Sequence, residues 1–234
     1  WKPGSASFGQ EVFPSWFNWN QNSQTMSGLT IGKSGNTANV IHQTTAITVA
    51  WPTTIYGGNI DVNQNLTSTL SGADILLQAS GAVNLSANMA IQTNGGDVTL
   101  AAANGGIASG SSSAIYLYSS SQILTNGGNI TLGGGYSGTE GNLYAATNIA
   151  GGGFAVRLLS ATLTAAGGNI KIYGRNVSSY GDGVYLSAVN ISTTGIGTIG
   201  IYGDSYGGFN NTFYFGGITF DYNASIIQTV NGNI

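Results

Sequence analysis

The chain lacks cysteine altogether and carries little charge: 6% of its 234 residues are Asp, Glu, Lys or Arg, against about 25% in an ordinary soluble domain. Without cysteine there is neither a disulfide framework nor a thiolate metal site. Five basic residues and a net charge of −3 leave no stripe able to neutralise phosphates, which argues against nucleic acid as a partner. His42 is the single histidine. With no second His or Cys it builds no zinc site, and no Ser-His-Asp pattern surrounds it, so it reads as a surface or internally satisfied side chain. No apolar run reaches the ~18 residues that a membrane-spanning helix requires. A membrane barrel would need ~10-residue strands joined by hairpin turns, a poor match to the gapped glycine pattern below. Good helix formers are scarce, with two Glu, three Lys and two Arg. Three prolines, no starting Met and no signal peptide at Trp1 complete the absences.

What is present in quantity is glycine, 38 residues, beside a hydrophobic fraction of 41% that sets the chain apart from disordered tracts. The glycines fall in a repeated phrase. Ile123–Leu132 reads ILTNGGNITL, Ile91–Leu100 IQTNGGDVTL, Leu163–Ile172 LTAAGGNIKI, Ile55–Val62 IYGGNIDV and Ile191–Ile201 ISTTGIGTIGI. Ile227–Ile234, IQTVNGNI, stops inside the motif. The last glycines of these corners are Gly58, Gly96, Gly128, Gly168, Gly197 and Gly232, so the intervals are 38, 32, 40, 29 and 35 residues. Between Gly96 and Gly128 lie three alternating apolar and polar pieces, Asp97–Ala101, Ala114–Tyr118 and Gln122–Thr125. Between Gly168 and Gly197 lie three more, Asn169–Tyr173, Gly183–Ser187 and Val189–Thr193. Alternation points one set of side chains inward and the other out.

Three strands and three corners per repeat predict an all-β chain, a parallel β-helix solenoid of three strands per coil. Its coils stack at about 4.8 Å, right-handed by the usual crossover preference. Six corners predict about six coils, in one continuous core over residues 27–234. Residues 1–26, rich in Trp and free of glycine pairs, form a cap over the first coil or a docking segment.

Inside the solenoid, Val83, Leu85 and Ile91 should stack on Ile115, Leu117 and Ile123. Thr93, Thr125, Thr164, Thr193 and Thr229 suggest a threonine column beside the corner. Tyr173 and Tyr202 lie in matching IYG segments, and Arg175 and Asp204 share their spacing, which predicts a ring stack and an ion pair between coils. The tyrosines Tyr173, Tyr202 and Tyr206 are candidates for glycan or lateral contact. Trp1, Trp16, Trp19 and Trp51 are candidates for self-association, Trp51-Pro52 standing out where other corners hold small residues. Asn-x-Ser/Thr triplets make Asn65, Asn84, Asn129, Asn176, Asn190, Asn210 and Asn223 candidate glycosylation sites. Glycoside hydrolysis needs two convergent carboxylates. Asp182, Asp204 and Asp221 with Arg175 are the best set for that, without a recognisable motif, so no catalytic, metal or cofactor residue is assigned.

GLTIGKSGNTANV at Gly28–Val40, YGGNIDVNQNL at Tyr56–Leu66 and TNGGNITLGGG at Thr125–Gly135 resemble the repeats of bacterial β-strand-repeat surface exoproteins. These are similar in style to filamentous-haemagglutinin-like adhesins. The resemblance implies a secreted, non-enzymatic shaft at the cell surface used in adhesion or filament formation. Its partners would be itself or further repeats of a longer chain, and surface glycans. A carbohydrate-active β-helix enzyme and a glycan-binding module are the alternatives.

Overall fold

The computed structural model describes residues 2–12, 27–104, 113–137, 143–147, 153–177, 181–205, 217–221, 223–231 and 234. Among them every regular element is a strand, and the strands follow one another in threes. The first coil is β1 (Leu29–Ile31), β2 (Val40–His42) and β3 (Ile47–Val49), and the second is β4 (Thr53–Gly57), β5 (Ile60–Val62) and β6 (Leu66–Ser71). The third holds β7 (Ile75–Ala79), β8 (Val83–Leu85) and β9 (Ala90–Asn94), and the fourth β10 (Val98–Ala102), β11 (Ser113–Leu117) and β12 (Gln122–Leu124). The fifth runs β13 (Ile130–Gly134), a detour through β14 (Tyr136–Ser137) and β15 (Leu143–Thr147), then β16 (Phe154–Leu159) and β17 (Thr162–Thr164). The sixth is β18 (Ile170–Asn176), β19 (Val184–Ser187) and β20 (Asn190–Thr193), and the seventh β21 (Ile199–Ser205), β22 (Ile218–Phe220) and β23 (Ile226–Thr229).

Each strand pairs in parallel with its counterpart one coil away, giving three sheets: a first containing β1, β4, β7, β10, β13, β18 and β21, a second from β2 to β22, and a third from β3 to β23. The molecule is therefore a parallel β-helix with three strands per coil. The single antiparallel pair among the described residues is β14 with β15. It closes the fifth-coil detour, after which β15 pairs with the second half of β18 while β13 pairs with the first.

The core follows from register. On the first sheet Ile31, Ile55, Leu77, Leu100, Leu132, Ile172 and Ile201 stand in one column. On the second, Val40, Ile60, Val83, Ile115, Val156, Val184 and Ile218 do the same. On the third the column is Ile47, Leu66, Ile91, Ile123, Leu163, Ile191 and Ile227. Each strand in these columns thus turns an aliphatic side chain inward onto its own kind, each worth roughly 1.5–3 kcal/mol when fully buried. The expected stacking of Val83, Leu85 and Ile91 on Ile115, Leu117 and Ile123 is found.

The coil count differs from expectation: the described residues form seven coils where about six were expected. The misreading lies in Gly58. Its corner joins β4 to β5, whereas Gly96, Gly128, Gly168 and Gly197 all sit between the third sheet and the first. The equivalent corners of the early coils are Trp51-Pro52 and Ala73-Asp74, neither of which shows a glycine pair. Residues 27–96 therefore hold three short coils rather than two. The same shift places Asp61 on the second sheet and Asp97 at the corner before β10, so these two carboxylates share no face.

The glycine pair itself has two separate causes. Gly95, Gly127 and Gly167 have φ of 82°, 120° and 123°, a region costly for other residues. A Cβ on the second glycine would run into the coil below: Gly96 into the backbone of Ala73, Gly128 into that of Gly96, Gly168 into that of Gly128. The residue that follows completes the corner. The Asp97 amide donates to Asp74 Oδ1 (2.7 Å), the Asn129 amide to Asp97 Oδ1 (2.7 Å), the Asn169 amide to Asn129 Oδ1 (2.8 Å) and the Thr198 amide to Asn169 Oδ1 (2.9 Å).

Gly128→Ala places a methyl against backbone that cannot yield, and is expected to cost about 1–3 kcal/mol or more. Gly9→Ala, with nothing within 4 Å of the added carbon, should stay within about 0.5 kcal/mol. Urea unfolding followed by circular dichroism checks both; equal midpoints for the two variants would refute the close-approach account.

Candidate functional site

Length variation gathers at one corner. The connection from first to second sheet is short in the second and third coils, Gly57 to Ile60 and Ala79 to Val83. It widens afterwards: Ala102 to Ser113, Gly134 to Phe154, Asn176 to Val184 and Ser205 to Ile218. Repeat proteins place such insertions along the face that binds. The strands flanking this edge carry the aromatic and charged outward positions.

On the outer face of the second sheet, register sets Asp61, Asn84, Tyr116, Arg157 and Tyr185 in one column. Asn84 Nδ2 donates to Asp61 Oδ1 at 2.7 Å. Tyr116 stacks on Tyr118 with ring centroids 3.7 Å apart and 22° between planes. The Arg157 guanidinium carbon lies 4.9 Å from the Tyr116 centroid, 4.9 Å from that of Phe154 and 5.7 Å from that of Tyr185. Phe154 in turn packs on Tyr185 at 4.6 Å. Cation–π contacts of this kind are worth about 0.5–2 kcal/mol each, depending on solvent. Ser187 Oγ donates to Asp221 Oδ2 at 3.1 Å. The Tyr185 hydroxyl is pushed up from its ordinary pKa first by burial and then by its hydrogen bond to the Asp221 carboxylate. Burial, then the neighbouring Tyr116 and Asp61, raises Tyr118 as well, against a smaller opposing pull from Arg157. Both phenols therefore stay protonated at neutral pH.

On the first sheet the expected tyrosine stack is present. Tyr173 and Tyr202 are in register, with centroids 4.8 Å apart and planes 14° apart, and Tyr144 meets Tyr173 edge-on at 5.8 Å. Tyr173 is 9% exposed and Tyr202 41%, so only Tyr202 offers a free ring. Arg175 Nε meets Asp204 Oδ2 at 3.2 Å, as expected. With Asp204 well exposed, the pair contributes no more than ~1 kcal/mol.

The Asp182, Asp204 and Asp221 set does not form. Asp182 precedes β19, and Asp204 lies beside that same corner, where a Cβ on Gly183 would meet its backbone. Asp221 is bonded to Ser187 at the far end of β19, five residues and about 16 Å along the strand. Among the described residues no group of three His, Cys, Asp or Glu could hold a metal. His42 turns inward, buried, with Nε2 2.7 Å from the Thr45 carbonyl.

Trp51 is 4% exposed; its ring plugs the corner before β4, out of reach of a partner. The threonine column holds Thr93, Thr125, Thr193 and Thr229, the last in register with Thr193; the hydroxyls of Thr93, Thr125 and Thr193 donate to the carbonyls of Gly96, Gly128 and Gly168 at 2.5, 2.5 and 2.6 Å. Thr164 is not in it: it pairs with Ser192, and Ala165 takes the column position. Of the asparagines, Asn176 is fully buried with Nδ2 on the Gly153 carbonyl, and Asn84, Asn129 and Asn223 use Nδ2 in hydrogen bonds. Asn65 and Asn190 are exposed. Trp1, Trp16, Trp19, Tyr206 and Asn210 lie outside the described residues.

Arg157 was missed because FAVRLL follows a glycine run with no recognised corner nearby. The signal was an alignment of AIYLY, AVRLL and GVYLS on their inward aliphatic residues. The class is thus a parallel β-helix with one decorated edge. Comparison with protein-family models, with curated proteins and with solved structures returns no match.

Burial holds the His42 imidazole below its usual pKa of 6.5, with the Thr45 carbonyl opposing weakly. The unfolded chain therefore binds the proton more readily. The stability this group contributes is complete above about pH 6.5 and is lost as pH falls toward the depressed value, by at most ~1.4 kcal/mol per pH unit. Urea midpoints at pH 7.5 and pH 5 should differ more for the natural chain than for His42→Leu; an identical pH dependence in the two would contradict this.

Proposed function

We propose that the chain is a non-catalytic structural and adhesive rod of the cell exterior, built to stand stiff and to present its decorated edge to a surface or to neighbouring rods. The observation that carries this reading is the unbroken stacking of seven aliphatic residues in each of three columns. Such a core is extended along one axis and resists bending. The repeat texture shared with β-strand-repeat exoproteins and haemagglutinin-like adhesins points the same way. A carbohydrate-active enzyme is the weaker reading, since its best carboxylate set is spread over two ends of β19.

Self-assembly by coil stacking belongs to the proposal. Inward residues that are fully buried in the middle coils are uncovered in the seventh, where Ile218 is 38% and Phe220 55% exposed, a face that fits one more coil, whether from the same chain or from a second copy. A strand edge with apolar residues in register is a template for further stacking. At the first coil, by contrast, Val12 bridges Val40, its amide and carbonyl bonding Asn39 and Ile41 at 2.8 Å.

Negative-stain electron microscopy with light scattering over a concentration series tests the reading. Rods that lengthen with concentration are expected, and Phe220→Glu should shorten them by burying a charge in the joint. A monodisperse monomer at every concentration would sink the assembly proposal.

A further inference from the structure

We propose that the outer face of the second sheet around Arg157 binds a carboxylate-bearing sugar, a uronic or sialic acid residue. The guanidinium takes the carboxylate, and the rings of Tyr118 and Tyr185 take the sugar's apolar face. This goes beyond the rod reading and does not depend on self-association.

The starting point is a charge without a counter-charge. Arg175 is ion-paired with Asp204, whereas no nitrogen of Arg157 has a hydrogen-bond or ion-pair partner among the described residues. Its Nε is shut off from water by the surrounding rings, so the terminal nitrogens are the donors left for a ligand. The two carboxylates of the same face are already engaged elsewhere. Asp61 accepts from Asn84, and Asp221 from Ser187 and Tyr185. Neither turns to Arg157.

A guanidinium presents paired donors in a plane, a shape that matches a carboxylate. Stacking against Tyr116 and Phe154 fixes that plane in advance, so little side-chain freedom remains to be lost on binding. Tyr118, 38% exposed and stacked on Tyr116, supplies a ring with one side open. An aromatic ring beside a hydrogen-bond donor suits an amphipathic ligand such as a pyranose. A polyphosphate carries several charges and is disfavoured by the shortage of further cations.

Ligand-observed NMR and calorimetry on the whole chain decide the matter, with digalacturonate and N-acetylneuraminic acid as probes. The methyl ester of digalacturonate, galactose and a Glu-rich peptide serve as controls. The expected result is binding of at least one acidic sugar, with affinity about tenfold lower for the ester and for Arg157→Gln. Tyr118→Ala should weaken binding several-fold, and Lys171→Gln, on the first sheet, should leave it unchanged. Tighter binding of digalacturonate would mark the ligand as a uronate and of N-acetylneuraminic acid as a sialoside. No binding of either, equal binding of ester or galactose, unchanged binding in Arg157→Gln, or tighter binding of the peptide would each overturn the proposal. Should Arg157→Gln fail to fold by circular dichroism, the acid-against-ester comparison on the natural chain still decides.

Discussion

The strands of this molecule, and the corners between its third and first sheets, recur about 4.8 Å above themselves. Strands meet that spacing by hydrogen bonding. Corners keep only part of that ladder, as where the Gly95 amide donates to the Thr125 carbonyl and the Gly127 amide to that of Ala165, both at 2.7 Å, and anything projecting along the axis strikes the next coil. Gly96, Gly128 and Gly168 answer the steric half of the problem by having no Cβ. Asp97, Asn129 and Asn169 answer the polar half, each carboxyl or amide oxygen accepting the backbone N–H of the corner above. Thr93, Thr125 and Thr193 close the other side by donating to the glycine carbonyls. The phrase T-x-G-G-N is thus a complete corner, sterically bare and with its backbone groups satisfied.

Because one corner is fixed so tightly, variation moves elsewhere. The third-to-first corner keeps nearly the same form from Gly96 to Gly197, while the first-to-second corner absorbs the extra chain of the later coils. An insertion there leaves both neighbouring strands in register, as the β13 and β15 arrangement demonstrates: one coil's strand is split, and β18 still finds a partner along both of its halves. Function can therefore be changed at one edge without disturbing the core.

The sequence revealed most where chemistry repeats and least where it does not. Alternation located β10 to β12 and β18 to β20, and equal offsets from the corner predicted Tyr173 on Tyr202 and Arg175 beside Asp204. Coil counting failed at Trp51-Pro52, where a buried ring fills the turn, and at Gly72-Ala73, where a single glycine takes the positive φ of 73° and no glycine pair marks the corner. Gly58 misled because a glycine pair serves two different corners of the same coil. The Arg157 cluster was illegible for a related reason. Its members come from three coils of unequal length, and only the inward residues Ile115, Val156 and Val184 reveal that Tyr116, Arg157 and Tyr185 share a level.

Stacking also explains the feature with which the chain is most sparing. A like charge repeated at 4.8 Å costs about 1 kcal/mol per pair in bulk water, and several-fold more at a protein surface of lower effective dielectric. Charged columns are therefore untenable over seven coils, and the chain breaks them up. Asp61 is followed by Asn84 and Arg175 by Asp204, and the like-charged step from Asp74 to Asp97 goes no further, because Asn129 takes the next position. The 6% charge is a requirement of the architecture. Arg157 obeys the same requirement, since Tyr116 and Tyr185 in its column carry no charge. It departs from the pattern in one respect: where Arg175 was given an acid to neutralise it, Arg157 was given aromatic rings, which hold a cation in place and leave its charge available.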